Sequence, residues 1–277
     1  MIMENLKAKA YDLRKDTVDI IMAGGGGHIG GDMSVMEVLT DLYFHQMNIS
    51  ADNPEDPDRD LFILSKGHSM EAYYAVLCAK GFLDLEDVKN RFSKFGSPYI
   101  GHPHNTLPGI EMNSGSLGHG LPVAVGMALA CKKDGKNSRV YVVTGDGEMA
   151  EGSNWEGFMS GAMYGLDNLC CIIDRNHLQI SGDTEDVMAL DELKNKVAAF
   201  NWNVIVVEDG NDLDQVDAAC EQAKTVKGKP TCIISNTVKG KGSSVMENKA
   251  AWHHKLPSAE ELEQIYKDLE AKKEELL

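Results

Sequence analysis

From residue 139 into the 230s the chain alternates short strings of Val, Ile, Leu and Cys with amphipathic stretches, and this rhythm constrains the fold more than any other feature. The strings "RVYVV", "NLCCIID", "NVIVVE" and "TCIIS" lack the polar alternation of a strand with one wet face. They read as strands buried on both sides. The intervening "AEGSNWEGFMSGAMYG", "LDELKNKVAAF" and "DLDQVDAACEQAKTV" read as helices. The pattern predicts an α/β fold, a doubly wound, mostly parallel sheet with helices on both faces. Ligands of such sheets bind beyond the carboxyl ends of the strands. Cys170 and Cys171, adjacent in one strand, should face opposite sides of the sheet.

The N-terminal part is α-rich. Residues 4–22 read as a helix with Leu6, Leu13, Val18 and Ile21 on one face, ended by a glycine run. Ser34 is the expected N-cap of a second helix, "VMEVLTDLYFH". "ADNPEDPDRD" is a turn-rich surface loop and "LFIL" (61–64) a buried strand. "GHSMEAYYAVLCAKG" reads as a helix closing at Gly81. The final "SAEELEQIYKDLEAKKEELL" is read as a solvated outer helix laced by i,i+4 ion pairs. With no repeat and no low-complexity linker, residues 1–277 are expected to form a single domain.

A net charge of −16 argues against nucleic acid or an anionic membrane as the main partner. The opening "MIMENLKAKAYDLRK" has no apolar signal region, and "LPVAVGMALAC" (121–131) is too short to span a bilayer. The six cysteines form no C-x-x-C pair and read as buried free thiols in a reducing, cytoplasmic compartment.

Six of the eight positions from Gly24 to Gly31 are glycine, and Gly25, Gly27 and Gly30 spell G-x-G-x-x-G. A dinucleotide loop needs a strand before it and an acidic residue at the end of the next strand. Here a helix precedes, and Asp52 lies in the turn-rich loop, so the nicotinamide and flavin readings are rejected. What remains is either a hinge or a close-approach loop that carries His28.

The stronger signal is "YVVTGDGEMAEG". Gly145, Asp146 and Gly147 end a buried strand just before a helix, and Asn176 ends the next strand about thirty residues later. Parallel neighbours would bring both ends together. An Asp carboxylate, an Asn carbonyl and a free backbone carbonyl are hard oxygen ligands suited to Mg²⁺ (or Ca²⁺/Mn²⁺) with phosphate oxygens completing the shell. Either motif alone reads as a turn; together they point to a metal–diphosphate site.

At these residues the chain resembles the thiamin diphosphate enzymes, and the wider pattern is similar to transketolase, specifically its N-terminal diphosphate-binding part. The pieces are "GGHIGGDMS", "DLFILSKGHSMEAYYAVL", "GHP", "GSLGHGLPVAVGMALA", "GDGEMAEGSNWEGFMSGAMYGLDNL", "DRNHLQISG" and "NKAAWHHKLP". They run from about residue 6 to residue 258.

The resemblance implies thiamin diphosphate as cofactor, with Asp146, Asn176 and the Leu178 carbonyl as metal ligands. Gly147 and Glu148 lie where the backbone would pass the diphosphate. Ser116, Leu117 and Gly118 match a loop that covers the cofactor, with Leu117 against its rings, and His119 stands where glutamine is frequent. His28, His68, His102 and His253 match histidines that meet the thiazolium and the sugar hydroxyls and assist proton transfer. In "WHHK" the register is open between His253 and His254; His253 is taken as the match because glycine often follows it. Lys239, in "TVKGKG", is a candidate for the diphosphate, or else an exposed loop lysine.

"GGHIGG" is similar to the short, two-gene versions of the family. A C-terminal subunit carrying the pyrimidine-binding domain and its activating Glu is then expected as partner, in an α2β2 heterotetramer. The implied activity moves a two-carbon ketol unit from a ketose phosphate to an aldose phosphate. Other expectations stay open: a subunit of a 2-oxo-acid decarboxylating or deoxyxylulose phosphate synthase type enzyme, or a catalytically silent binding module.

Overall fold

In a computed structural model, which describes residues 2–276, seven strands follow in chain order. They are β1 (Leu61–Leu64), β2 (Val140–Gly145), β3 (Leu169–Arg175), β4 (Leu178–Gln179), β5 (Gly182–Asp183), β6 (Asn203–Val207) and β7 (Thr231–Asn236). Five form one sheet in the order β1-β2-β3-β7-β6, every pairing parallel, and β4 and β5 form a small antiparallel ribbon. The helices are α1 (Ile2–Gly24), α2 (Ile29–Ser34), α3 (Met36–Asp41), α4 (Met70–Lys80), α5 (Leu85–Arg91), α6 (Gly120–Lys133), α7 (Gly152–Met163), α8 (Thr184–Val187), α9 (Leu193–Ala199), α10 (Leu213–Thr225) and α11 (Ala259–Glu274). The doubly wound α/β expectation holds.

Alternate strand residues divide between two cores, as the two-residue period of a strand requires. Phe62, Tyr141, Cys170, Ile172 and Ile233 pack with Leu13, Leu39, Tyr73 and Cys220 from α1, α3, α4 and α10. Ile63, Val142, Cys171, Ile173 and Ile234 pack with Leu121, Phe158 and Val197 from α6, α7 and α9. The adjacent cysteines do face opposite layers. Register pairs Gly145 with Asp174, so the loops after β2 and β3 leave the sheet side by side. After β3 the chain crosses to the edge strand β6, and α10 returns it to β7 beside β3. The carboxyl ends of β2, β3 and β7 therefore converge.

Two expectations need correction. Ser34 is the last residue of α2, not an N-cap; Val35 precedes α3, which is followed by a π-helical turn, Leu42–Gln46. Its hydroxyl is drawn away by Asp174 of β3, 2.7 Å distant. The C-terminal helix is more than a solvated one: Ile265 and Leu269, four apart, are fully buried in a third core with Val18, Ile21 and Met33. It begins with a capping box between Ser258 and Glu261. The helices α5 and α6 are not legible as helices in the sequence, the latter registering only as an apolar run. Among the described residues no helix is long and apolar enough to cross a membrane.

Candidate active site

β2 ends at Gly145, and Asp146 caps a 3-10 turn, Gly147–Ala150. Its carboxylate accepts hydrogen bonds from the amides of Gly147 (2.8 Å) and His177 (2.7 Å), with Arg175 at 3.6 Å. It is thereby held between the ends of β2 and β3. Burial, reinforced by nearby Asp174, raises this carboxyl to about 6. Asn176 donates through Nδ2 to Asp174 (3.2 Å), while its Oδ1 accepts from the Leu178 amide (3.1 Å). The Leu178 carbonyl accepts from Lys239 Nζ at 3.0 Å. All four of Asp146, Asn176, Leu178 and Lys239 line one cavity of about 350 Å³.

Glu148 ties that cavity together. Its carboxylate accepts from Ser65 Oγ, from the Gly118 amide (2.8 Å) and from the Gly145 amide (2.9 Å). One side chain thus links the ends of β1 and β2 to the 115–120 loop. Burial raises its carboxyl against these donors.

The opposite wall is imidazole. The ring of His28, at the start of α2, lies 5.3 Å from that of His68, 6.1 Å from His102, 5.5 Å from His253 and 4.8 Å from His254. Burial pushes His28 down to about 4 and His253 down to about 3, with Lys239 and neighbouring imidazoles adding to the effect. His68 is held well below the usual histidine range, by burial first and Lys66 next, and burial also lowers His102. Lowered in this way, His28, His68, His102 and His253 favour the neutral ring, able to donate or accept. Lys239 Nζ approaches His253 Nδ1 at 3.0 Å. An ammonium has only protons to offer, so Nδ1 accepts and Nε2 carries the ring proton. His28 Nδ1 is buried and has no partner.

Lys239 is 2% exposed, which removes the exposed-loop reading. Burial and Lys66 lower its ammonium to about 8. No carboxylate lies within ion-pair reach of it among the described residues, so its charge is directed at the cavity.

Of the sequence candidates, His28, His68, His102, Leu117, Asp146, Gly147, Glu148, Asn176, Leu178, Lys239 and His253 line the cavity. Ser116 and His119 are exposed and Gly118 has its amide taken by Glu148, so these three do not line it. His254 stands behind His28, at the mouth of a smaller cavity. Sequence reasoning missed Lys66, whose ammonium pairs with Asp174 beneath the site and reaches the Gly31 carbonyl (2.9 Å). Its place in "SKGHS" was the available signal. Ile180, 76% exposed at the rim of the β4–β5 ribbon, was missed too.

The family model described as "Transketolase, thiamine diphosphate binding domain" matches residues 6–275. The chain is 45% identical over 276 residues to an apulose-4-phosphate transketolase subunit of Phocaeicola vulgatus, covering 100% of this chain and 98% of that one. It is 40% identical over 251 residues to a 6-deoxy-6-sulfo-D-fructose transketolase subunit of Clostridium sp., covering 90% of each. Human transketolase is 38% identical over 276 residues, but there the match covers 98% of this chain and 44% of the relative. Among solved structures, Campylobacter jejuni transketolase superimposes with a TM-score of 0.89 at 28% identity, over 98% of this chain and 45% of that one. Pichia stipitis transketolase in complex with sedoheptulose 7-phosphate also gives 0.89, at 27% identity, over 98% and 44%. The chain thus spans under half the length of these solved transketolases and nearly the full length of relatives named as subunits. It belongs to the transketolase thiamine diphosphate-binding domain family.

Proposed function

We propose that this chain is the diphosphate-binding subunit of a split transketolase, moving a two-carbon ketol unit from a ketose phosphate to an aldose phosphate. The observation that carries the reading is one cavity with hard oxygen donors and a buried, unpaired lysine on one wall and four neutral histidines on the other.

The residues present fit the cofactor and its ion. Asp146, Asn176 Oδ1 and the Leu178 carbonyl offer the oxygen set that Mg²⁺ takes, with open positions for phosphate. The Asp146 carboxyl, raised by burial, gains from a cation beside it. Lys239 Nζ would meet a diphosphate oxygen, and Leu117 and Ile180 offer apolar surface to the rings. His28 Nδ1, buried without a partner, is a polar atom that a ligand would satisfy. When bound, thiamin diphosphate supplies the electron sink for cleaving the bond between C2 and C3 of the sugar.

The chain's own part is binding, orientation and proton handling. His253, fixed in its Nε2–H form by Lys239, donates to a sugar oxygen. His28, His68 and His102 stay uncharged at neutral pH, so each can take a hydroxyl proton at a ring nitrogen and return it. The C-terminal partner subunit supplies the pyrimidine-binding domain and its Glu, and we place two copies of each in the assembly. Residues 1–277 act as one domain. The six free cysteines suit a reducing cytoplasm.

The test is reconstitution. The chain with thiamin diphosphate and Mg²⁺ should be silent by itself, and adding a C-terminal transketolase subunit should give transfer from xylulose 5-phosphate to ribose 5-phosphate. Apulose 4-phosphate serves as a second donor, because a 45% identical relative carries that sugar in its name. Turnover of pyruvate with no ketose phosphate accepted would refute the assignment.

A further inference from the structure

Asp32 and Glu71 sit in the first turns of α2 and α4, and they are 0% and 1% exposed. Two acids from different elements have been buried together behind His28. Asp32 Oδ1 accepts from the Ala72 amide at 3.1 Å. The other oxygens, Asp32 Oδ2 and Glu71 Oε2, are buried with no protein donor. The Ala72 amide that Asp32 accepts directly follows Glu71, so the two acids stand side by side, and a shared proton would satisfy both open oxygens. Two ionised carboxylates in contact out of water would each lack a donor and repel.

Glu71 also touches the catalytic loop. Its Oε1 lies against Gly27, the residue before His28, where α2 opens with no side-chain cap, and Glu71 and His28 line the same small cavity. A Cβ on Gly27 would lie 2.8 Å from Glu71 Oε1, so the glycine is what lets the loop settle on this carboxyl.

We propose that Asp32 and Glu71 act as one acid pair sharing a single proton, and that this pair positions His28 over the cavity. The inference rests on the reading of His28 as a proton-handling group. Lys66 favours the anionic partner, while burial raises Asp32 to about 7 and Glu71 well above the usual range. The other titratable groups facing the pair are Tyr74 and, across the small cavity, the imidazoles of His28, His102 and His254. The packed face of α1 presents Ile21. As pH rises through the raised carboxyl values the shared proton leaves, two buried anions oppose each other, and the loop under His28 loosens.

Three measurements test this. The infrared spectrum of the chain should show a protonated carboxyl band at neutral pH that E71Q removes and alkaline pH abolishes. In the reconstituted enzyme, E71A should lower ketol transfer about 10-fold to 100-fold with thiamin diphosphate affinity unchanged, the scale of a displaced catalytic group. E71Q, whose amide can donate to Asp32 permanently, should restore most of that rate and lose the part of the alkaline decline that the pair causes. Equal rates for E71A and E71Q, an unchanged alkaline decline in E71Q, or no protonated carboxyl band would each overturn the proposal. Should E71A not fold, the spectrum and the E71Q pH profile still decide. A wild-type transfer rate in H28A would instead refute the role of His28, leaving the carboxyl band to report the pair.

Discussion

Replacing Lys66 with Met removes the cation from a pair that is all but completely buried, at 1% exposure for the lysine and 0% for Asp174. Met has nearly the same length, so the loss is charge and hydrogen bonds rather than volume. Asp174 would keep three neutral donors: Ser34 Oγ (2.7 Å), Asn176 Nδ2 (3.2 Å) and Thr237 Oγ1. The Gly31 carbonyl loses its donor as well. Removing one partner of a buried pair costs about 3–5 kcal/mol. The surviving donors place this case at the lower end, about 3 kcal/mol, which corresponds to a fall in Tm of about 6–12 °C for a chain of this size.

The pH dependence fixes the interpretation. Burial by itself would raise the Asp174 carboxyl, but Lys66, helped by Thr237 and Ser34, outweighs it and holds the group below the usual carboxylate range. In the wild type the pair therefore stabilises the fold above the unfolded carboxyl value and ceases to do so as pH falls through the lowered folded value. In K66M burial is opposed only by the neutral donors, the carboxyl protonates more readily, and the deficit should shrink on acidification. Urea unfolding of the isolated chain at neutral and mildly acidic pH measures both quantities by linear extrapolation. The double variant K66M/D174N should recover part of the loss, because no charge is left buried. A deficit under about 1 kcal/mol, the value of an exposed pair, or one that does not shrink toward acid, would refute the reasoning.

Asp146→Asn should abolish Mg²⁺-dependent binding of thiamin diphosphate in calorimetry, and it should also lower stability by about 1–3 kcal/mol because one of the two amides that Asp146 accepts loses its acceptor; binding within about tenfold of wild type would count against the ligand assignment. His28→Ala should leave cofactor affinity intact while ketol transfer by the reconstituted enzyme falls about 10²-fold to 10⁴-fold, the usual contribution of a proton-transfer group. Lys239→Met should weaken the cofactor about 10-fold to 100-fold, the value of a hydrogen bond to a charged group. Because burial brings the Lys239 ammonium to about 8, wild-type affinity should decline as pH rises through that value, and the Met variant should lack this decline.

The sheet was legible because strands buried on two faces leave little room for polar residues, as "NLCCIID" shows. The metal-ligating candidates were legible for the same reason: once β2 and β3 are parallel neighbours, the ends "GDG" and "DRN" must meet. Four histidines flanked by or near glycine were recoverable as a set because their motifs stand where chain reversals occur. What the sequence did not disclose is what lies under the site. Lys66, Asp174 and Ser34 come from three distant segments, and their mutual neutralisation depends on tertiary placement that no local spacing encodes. The same holds for Asp32 with Glu71, each of which reads locally as an ordinary acid in a helix's first turn. Ser34 misled because a serine before an apolar run signals a cap only when no stronger partner competes for its hydroxyl. In the C-terminal helix, Ile265 and Leu269 were outnumbered by charges, and they dock it on α1 together with Leu262, Tyr266 and the pairs Lys15–Glu270 and Lys273–Asp12.

The most direct test follows the carbon atoms. The chain, combined with its C-terminal subunit, thiamin diphosphate and Mg²⁺, is given xylulose 5-phosphate labelled with ¹³C at C1 and C2, together with unlabelled ribose 5-phosphate. Carbon NMR should show both labels arriving together, still coupled, in the seven-carbon product, and neither label moving when the partner or Asp146 is removed. Labels that stay in the donor, or part from one another in the product, would contradict the account.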